Sequence, residues 1–408
     1  MAPTVALLGT LDTKGAEYDF LRARIAAAGC TPLLIDCGVF PPAGAVPDIA
    51  AAEVARAAGA AVDALREDAD RGAAVARMAE GAATTLRGLS ERGRVQAALA
   101  VGGSGGTAIA AEAMAALPIG TPKLIVSTVA SGDTRPYMGA RDVAMMYSVV
   151  DISGINRFSA RILGNAAAAA AGMAGAPVPE PEAAPRPLVG TSMFGVTTPS
   201  VTAARENLEH AGFEVLVFHA TGTGGQSLEA LAADGYLAGI ADITTTELAD
   251  ELVGGVMSAG ADRLRAAGRL GLPQAVSVGA VDMVNFAAPE TVPPGFSDRL
   301  FYHHNANVTL MRTTAAECAE IGRRVADRLN GAAGPVSLFL PLGGVSALSV
   351  PGGPFYDPGA DEALFAALRE RVDPARVELH ELDTHVNDPR FAAAMTDRLT
   401  ELLQERHQ

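Results

Sequence analysis

Short, continuous apolar runs of strand length alternate with helix-length segments along this sequence, and that alternation restricts the fold more than any other feature. "TVALLG" (4–9), "TPLLID" (31–36), "VQAALAVG" (95–102) and "KLIVSTV" (123–129) read as strands, with helices expected near 15–28, 47–66, 70–92 and 105–116. A strand that is apolar throughout, rather than at every second residue, is buried on both faces, as in a parallel sheet covered by helices on each side. The pattern breaks at "GAPVPEPEAAPRP" (175–187), where five prolines and no apolar period predict a stiff linker. Beyond it the alternation restarts with "PLVGTSMFGV" (187–196), "FEVLVFHA" (213–220), "LAGIADIT" (237–244), "QAVSVGAVD" (274–282), "VSLFLPLGG" (336–344) and "RVELHEL" (376–382). Helices are expected between these runs near 199–211, 226–233, 246–253, 313–330, 360–371 and 388–405. The expected fold class is α/β: two Rossmann-like, open, mainly parallel sheets covered by helices. The domains expected are 1–176, a Pro-rich linker over 177–187, and 188–408. Neither half supplies the eight strand–helix units of a TIM barrel.

The cores of such domains must be aliphatic here, because 49% of the 408 residues are hydrophobic but only 5% are aromatic and none is Trp. A net charge of −15 argues against general binding to nucleic acid or anionic membranes, since the mean field repels phosphate. Any phosphate ligand must be met by locally oriented donors. The three cysteines, Cys30, Cys37 and Cys318, show neither disulfide nor metal-site spacing and fit a reducing compartment. No apolar run reaches the roughly 18 residues of a membrane helix, and "MAPTVALLGT" has no charged segment before its apolar run. A cytoplasmic protein is expected.

In parallel sheets ligands gather at the carboxyl ends of the strands, and there the small polar residues concentrate. "VGGSGGTAIA" follows a strand and opens a helix: Gly102, Gly103, Gly105 and Gly106 let backbone approach a ligand, while Ser104 and Thr107 add hydroxyls at the helix N-terminus. That is an anion site by its exposed N–H groups and helix dipole, or else a plain strand-to-helix turn; the Walker A ending and an in-register G-x-G-x-x-G are both missing. "GTLDTKGAE" (9–17) places Thr10, Asp12, Thr13 and Lys14 at the end of the first strand. Asp12 suits a magnesium ion or a ribose hydroxyl and Lys14 a phosphate, whereas Thr13 with Glu17 also reads as a helix cap. "STVASGDTRPYMG" (127–139) offers Ser131, Gly132, Asp133 and Thr134, and "VVDISGINR" (149–157) adds Arg157 on a turn before a helix.

The second half repeats this arrangement. Thr197 and Thr198 precede a Pro-initiated helix, His219, Thr223, Gly224 and Gly225 lie in "HATGTGGQS", and "ADITTTELAD" holds Asp242, Thr244, Thr245, Thr246 and Glu247. Asp282 in "GAVDMVNF" and His303 and His304 in "YHHNANV" complete the polar set. Asp242, Glu247, Asp282, His303 and His304 are the candidates for acid–base or metal chemistry, although isolated histidines are more often structural and no HExxH or G-x-S-x-G pattern is present.

Taken together, "GTLDTKGAE", "GGSGGTA", "VSTVASGDTRPYMG", "VVDISGIN", "MFGVTTP", "VFHATGTGG", "DITTTELAD", "SVGAVDMVNF" and "MRTT" resemble, over essentially the whole length, the Tm-1-like ATP-binding proteins of the UPF0261 type. The resemblance implies ATP with magnesium as ligands, carried onto Thr10, Asp12, Thr13, Lys14, the Gly102 to Thr107 loop and the Ser131 to Thr134 loop. In the family's plant member, an inhibitor of a viral replication protein, a TIM barrel follows; this chain ends at Gln408, so none of that barrel's activity is expected here, though a separately encoded barrel protein is a conceivable partner. The resemblance supplies no reaction. Two functional expectations follow. In the first, nucleotide binds the first domain and a small phosphorylated or carboxylated metabolite the crevice between domains, with Thr197, Thr198, His219, Thr223 to Gly225 and Thr244 to Thr246 as its contacts, and phosphoryl transfer or ATP-dependent activation follows. In the second, a nucleotide-gated module without chemistry acts on a protein partner. A homo-oligomer is expected in either case.

Overall fold

The computed structural model describes residues 2–68, 70–177 and 185–406. The chain separates into two compact units, Met1–Glu180 and Pro181–Gln408. The proline-rich segment expected at 177–187 lies for the most part outside the described residues.

Unit 1 runs β1 (Thr4–Gly9), α1 (Leu11–Ala27), β2 (Thr31–Asp36), α2 (Ala51–Ala57), α3 (Val62–Glu67), α4 (Arg71–Glu91), β3 (Ala97–Gly102), α5 (Ser104–Ala115), β4 (Lys123–Ser127), α6 (Arg135–Met138), β5 (Val143–Tyr147) and α7 (Arg157–Gly175). Its five strands are all parallel in the order β2-β1-β3-β4-β5. Alternate strand residues feed opposite faces. Ala6, Leu8, Ala98, Ala100 and Ile125 pack under α2, α4 and α5. Val5, Leu7, Leu99, Val101 and Leu124 pack under α1 and α7. Both faces being covered, β3 is buried at all six positions, which is why its sequence reads as a solid apolar run. The helix expected over 47–66 is two helices, interrupted where Gly59 takes φ +70. β5 escaped the sequence reading because a short Met-rich stretch carries no clear period.

Chain order reverses between β1 and β3, the switch point at which such sheets bind ligands. Tyr18 closes the floor of that seam. Its hydroxyl accepts from the Val101 amide at 2.8 Å and donates to the Leu8 carbonyl, one bond to each parting strand. Gly9 permits this: a Cβ there would stand 2.0 Å from the Tyr18 ring.

Unit 2 runs β6 (Leu188–Met193), α8 (Thr198–His210), β7 (Glu214–His219), α9 (Thr223–Ala233), β8 (Gly239–Thr244), α10 (Glu247–Val253), α11 (Ala266–Arg269), β9 (Gln274–Gly279), β10 (Met283–Phe286), β11 (Phe301–Asn305), β12 (Val308–Arg312), α12 (Ala315–Asn330), β13 (Val336–Pro341), α13 (Pro358–Arg371), β14 (Val377–Leu382) and α14 (Pro389–Arg406). Six parallel strands follow the order β14-β13-β9-β8-β6-β7, with the switch point between β6 and β8. One face packs against α8 and α14, the other against α9 to α13. A separate antiparallel sheet, β10-β12-β11, was not expected. Its β11 is mostly exposed and carries His303, His304 and Asn305, so the polar loop read from the sequence is the outer strand of a hairpin.

Candidate functional site

In unit 1 the loops after β1 and β2 and the start of α5 surround a cavity of about 470 Å³. Thr10 precedes α1 and Asp12 and Thr13 lie in its first turn, the loop after β2 contributes Cys37 to Phe40, and α5 contributes Gly105, Gly106 and Ile109. Leu65, Arg66, Asp70, Arg71, Val75 and Met78 close it from α3 and α4. The carboxylates at its edge organise backbone. Asp36, its pKa raised by burial, accepts from the Leu11 and Gly38 amides at 3.2 and 2.9 Å, fixing both strand exits. One oxygen of Asp12 accepts from the Val39 and Phe40 amides at 3.2 and 3.1 Å, and Arg66 holds the Val39 carbonyl at 2.6 Å. Burial pushes the Cys37 thiol up to about 12, so it is a neutral wall rather than a nucleophile.

The N-terminus of α5 is open on this side. Its N-cap, Gly103, has no side chain, and no side chain caps the first turn. A Cβ on Gly105 would find nothing nearer than the Arg71 guanidinium and Val75 at 3.9 Å, so the first turn faces space beside a cation. Arg71 itself makes no hydrogen bond or ion pair among the described residues.

The structure gathers part of the set expected from sequence. Thr10, Asp12, Thr13, Gly105 and Gly106 line the cavity, and the Thr10 and Thr13 hydroxyls are 3.0 Å apart. Lys14 does not: the helix kinks at its φ of −126°, and its ammonium donates to the Ile152 carbonyl. Glu17, expected as a capping partner for Thr13, is buried and accepts from the Gly154 amide at 2.6 Å. Both residues fasten the turn before α7 to α1. Gly102 is buried at the end of β3, Ser104 is exposed, and Thr107 is buried with its hydroxyl 2.7 Å from Ser127, so it ties α5 to β4. Ser131, Gly132, Asp133 and Thr134 follow β4 and do not line the cavity; an Arg135 ion pair holds Asp133 at about 2. Arg157 is exposed at the start of α7. Arg71, Phe40 and Leu65 were missed because they lie in helices and a loop remote in sequence from the glycine motif.

In unit 2 the expected anion loops are filled by the protein's own groups. Glu247 accepts from the Gly222 and Gly225 amides at 2.8 and 3.0 Å, so the anion held by the Thr223 to Gly225 loop is a side chain of this chain. Glu247 also meets the Arg263 Nε at 2.6 Å, and Asp242 takes the other two guanidinium nitrogens at 2.5 and 2.7 Å. Burial raises the Glu247 pKa against the pull of Arg263. Burial opposes the Arg263 charge, but Asp242, Glu247 and Glu229 keep the guanidinium firmly protonated. The switch point is stitched shut by Thr197 and Thr244, whose hydroxyls are 2.7 Å apart, and by Ser192, which donates to Asp242 at 2.5 Å. Thr245 donates to the Ser277 carbonyl, and Thr246 precedes α10 without a side-chain capping bond. Thr198 donates to the Phe194 carbonyl, and the ring of exposed His219 lies 5.7 Å from that of Phe194. His303 borders a hollow of about 230 Å³ with Phe301 and Thr309, while His304 stands on the exposed strand beside Tyr302. Among the described residues no three His, Cys, Asp or Glu side chains group as a metal site.

Asp282 is fully buried, accepts from Ser346 at 2.7 Å, and has its other oxygen without a hydrogen-bond partner among the described residues; burial raises its pKa to about 6. Burial likewise raises Asp250 to about 7, although the Asn285 side chain donates to it at 2.6 Å. A carboxyl whose pKa is higher folded than unfolded contributes stability below the unfolded value, near 4, and loses it as pH rises through the folded value. Wild-type stability from these groups therefore declines between about pH 4 and 7. Replacing Asp250 by Asn removes its share, so the unfolding free energy of the variant minus that of wild type should increase by a few kcal/mol, in order of magnitude, from about pH 4.5 to 7. Urea melts at the two pH values measure this, and an unchanged difference would contradict it.

The fold and these sites define a pair of doubly wound α/β units, one with an open helix N-terminus at a cavity and one whose equivalent loops are closed internally. Residues 3–179 match the family model described as the N-terminal domain of "Uncharacterised protein family (UPF0261)", and residues 186–403 match that of its C-terminal domain. The chain belongs to the UPF0261 family. A UPF0261 protein of Clostridium tetani is 48% identical over 405 residues, covering 99% of this chain and 100% of its own length. UPF0261 protein RA0729 of Rhizobium meliloti is 49% identical over 96% of each chain. The ToMV resistance protein Tm-1 of Solanum lycopersicum is 45% identical over 310 residues, which are 74% of this chain and 41% of the tomato protein. Among solved structures, MurG of Acinetobacter baumannii aligns over 99% of this chain and 93% of its own at 11% identity and TM-score 0.21. No helix among the described residues is long and apolar enough to cross a membrane.

Proposed function

We propose that unit 1 binds ATP with magnesium in the cavity between the β1 and β2 exits and the start of α5. The observation that carries this reading is the unpaired Arg71 guanidinium beside the uncapped first turn of α5, opening on a cavity of about 470 Å³. Oriented N–H groups plus a cation hold phosphate in a protein of net charge −15, where the mean field does not. The volume is that of a small-molecule site, which runs from roughly 300 to 1,000 Å³. Val39, Phe40, Leu65, Val75 and Met78 offer an apolar wall for a base. Asp12 is the residue that would hold magnesium: the Val39 and Phe40 amides engage one of its oxygens, and magnesium asks for one or two protein carboxylates with phosphate and water completing its shell. Bound there, the ion would neutralise phosphate charge.

Of the two functional expectations, nucleotide-gated binding fits better than phosphoryl transfer. Asp242 and Glu247, offered as acid–base groups, are committed to Arg263 and to the start of α9. Removing a charged hydrogen-bond donor costs about 1.5–3 kcal/mol, so Arg71→Ala should weaken ATP binding roughly 10- to 100-fold in a calorimetric titration. Equal affinity in wild type and variant would place the nucleotide elsewhere. Competition by a sugar phosphate would instead mark a phosphorylated metabolite as the ligand.

A further inference from the structure

β5 is the outer strand of the unit 1 sheet, bonded to β4 alone. The Ser148 amide donates to the Ser127 carbonyl at 3.2 Å, so by alternation the amides of Met146 and Ala144 face β4 while those of Val143, Met145 and Tyr147 face outward. An outer strand is normally guarded by charge, proline, a bulge or a covering segment. The opposite edge is guarded in that way: Ile49 bridges Ile35 on β2, and the Ile49 amide and carbonyl bond to Leu34 and Asp36. β5, "VAMMY", has none of these among the described residues, and no charge occurs from 143 to 150. Exposed apolar side chains also follow it closely along the chain. Tyr147, Val149, Val150, Ile155 and Phe158 are five of the fourteen large apolar residues exposed among the described residues. Val149 moreover sits at φ +67°, a conformation that costs a β-branched residue energy and that tends to mark functional surfaces.

We infer that β5 pairs antiparallel with β5 of a second copy of this chain, joining two unit 1 sheets across a two-fold axis at Met145. A second copy is the occupant that this edge fits. Each copy brings one unguarded unit 1 edge, antiparallel pairing consumes both, and the guarded β2 edge stops the sheet from growing further, so the association closes as a dimer. About the Met145 axis, Val143 lies opposite Tyr147 and Ala144 opposite Met146, while Asp142 faces Ser148 and Asp151 faces Gly139, so no like charges meet. The outward groups of Val143, Met145 and Tyr147 then bond across the axis.

Analytical ultracentrifugation of the full chain at tens of micromolar should give a dimer. In the Ala144→Lys, Tyr147→Lys double variant, which alters only exposed side chains, it should give a folded monomer. In wild type, amide exchange over 143–147 should slow as concentration rises through the dissociation constant, because only the outward amides gain partners. That readout serves even where the variant fails to fold. A monomeric wild type, a dimer that survives both lysines, or exchange at β5 independent of concentration would each overturn the inference.

Discussion

Replacing Arg263 by Leu should be the most damaging single change in unit 2, lowering stability by about 3–5 kcal/mol, the usual cost of leaving buried charge without its partner. The guanidinium is fully buried and is the counter-ion of Asp242 and Glu247, which are themselves buried. Glu247 in turn fills the start of α9, so the loss reaches both sides of the β6–β8 seam. For a unit of this size the melting temperature should fall on the order of 10 °C. Neutralising the orphaned carboxylates as well, with Asp242→Asn and Glu247→Gln, should recover part of the loss, because the penalty is charge left without a partner. A single variant within about 1 kcal/mol of wild type would mean that the cluster is not the structural element described here.

The second large effect is expected at Gly105, and there stability and binding should part. The position is helical with free space around it, so an aspartate fits. A carboxylate in the first turn of a helix that has no acidic residue there should leave stability unchanged or raise it by about 0.3–1 kcal/mol. The same carboxylate would engage the N–H groups and Arg71 in the place proposed for phosphate, and ATP affinity should fall by about 100-fold or more. Gly105→Ala, which adds only ordinary contacts, should cost far less. A Gly105→Asp protein that binds ATP as wild type does would remove α5 from the site.

The architecture was legible because parallel strands buried on both faces leave an unmistakable apolar signature, as in β3, β8, β9 and β13. Two of the strands that escaped notice lack it, whereas the buried β10 and β12 are too short, at four and five residues, to stand out from their surroundings. β5 is short and half-exposed, and β11 carries histidines and an asparagine on a hairpin whose partner strand supplies the burial. For the sites, sequence located the polar loops but not their occupants. "GTGG" and "GGSGG" look alike as strings, yet one receives Glu247 from another helix and the other opens on a cavity. Whether a loop is filled from within depends on a residue far along the chain, and so does the location of the cation: Lys14 sits in the motif but turns to Ile152, whereas Arg71 comes from the start of α4.

The proposed function of unit 1 requires ATP with magnesium to bind at the start of α5. The most direct test is a thermal-shift titration of the full chain with ATP, ADP and a non-hydrolysable analogue, with and without magnesium, beside the same titration of the Gly105→Asp variant. A ligand that binds only the folded state stabilises it by about 2.7 kcal/mol at 100 times its dissociation constant. Wild type with ATP and magnesium should show a saturable rise in melting temperature, and the variant should show it only at concentrations about 100-fold higher or more; no shift with any nucleotide, or the same titration curve in both proteins, would contradict ATP binding at the start of α5.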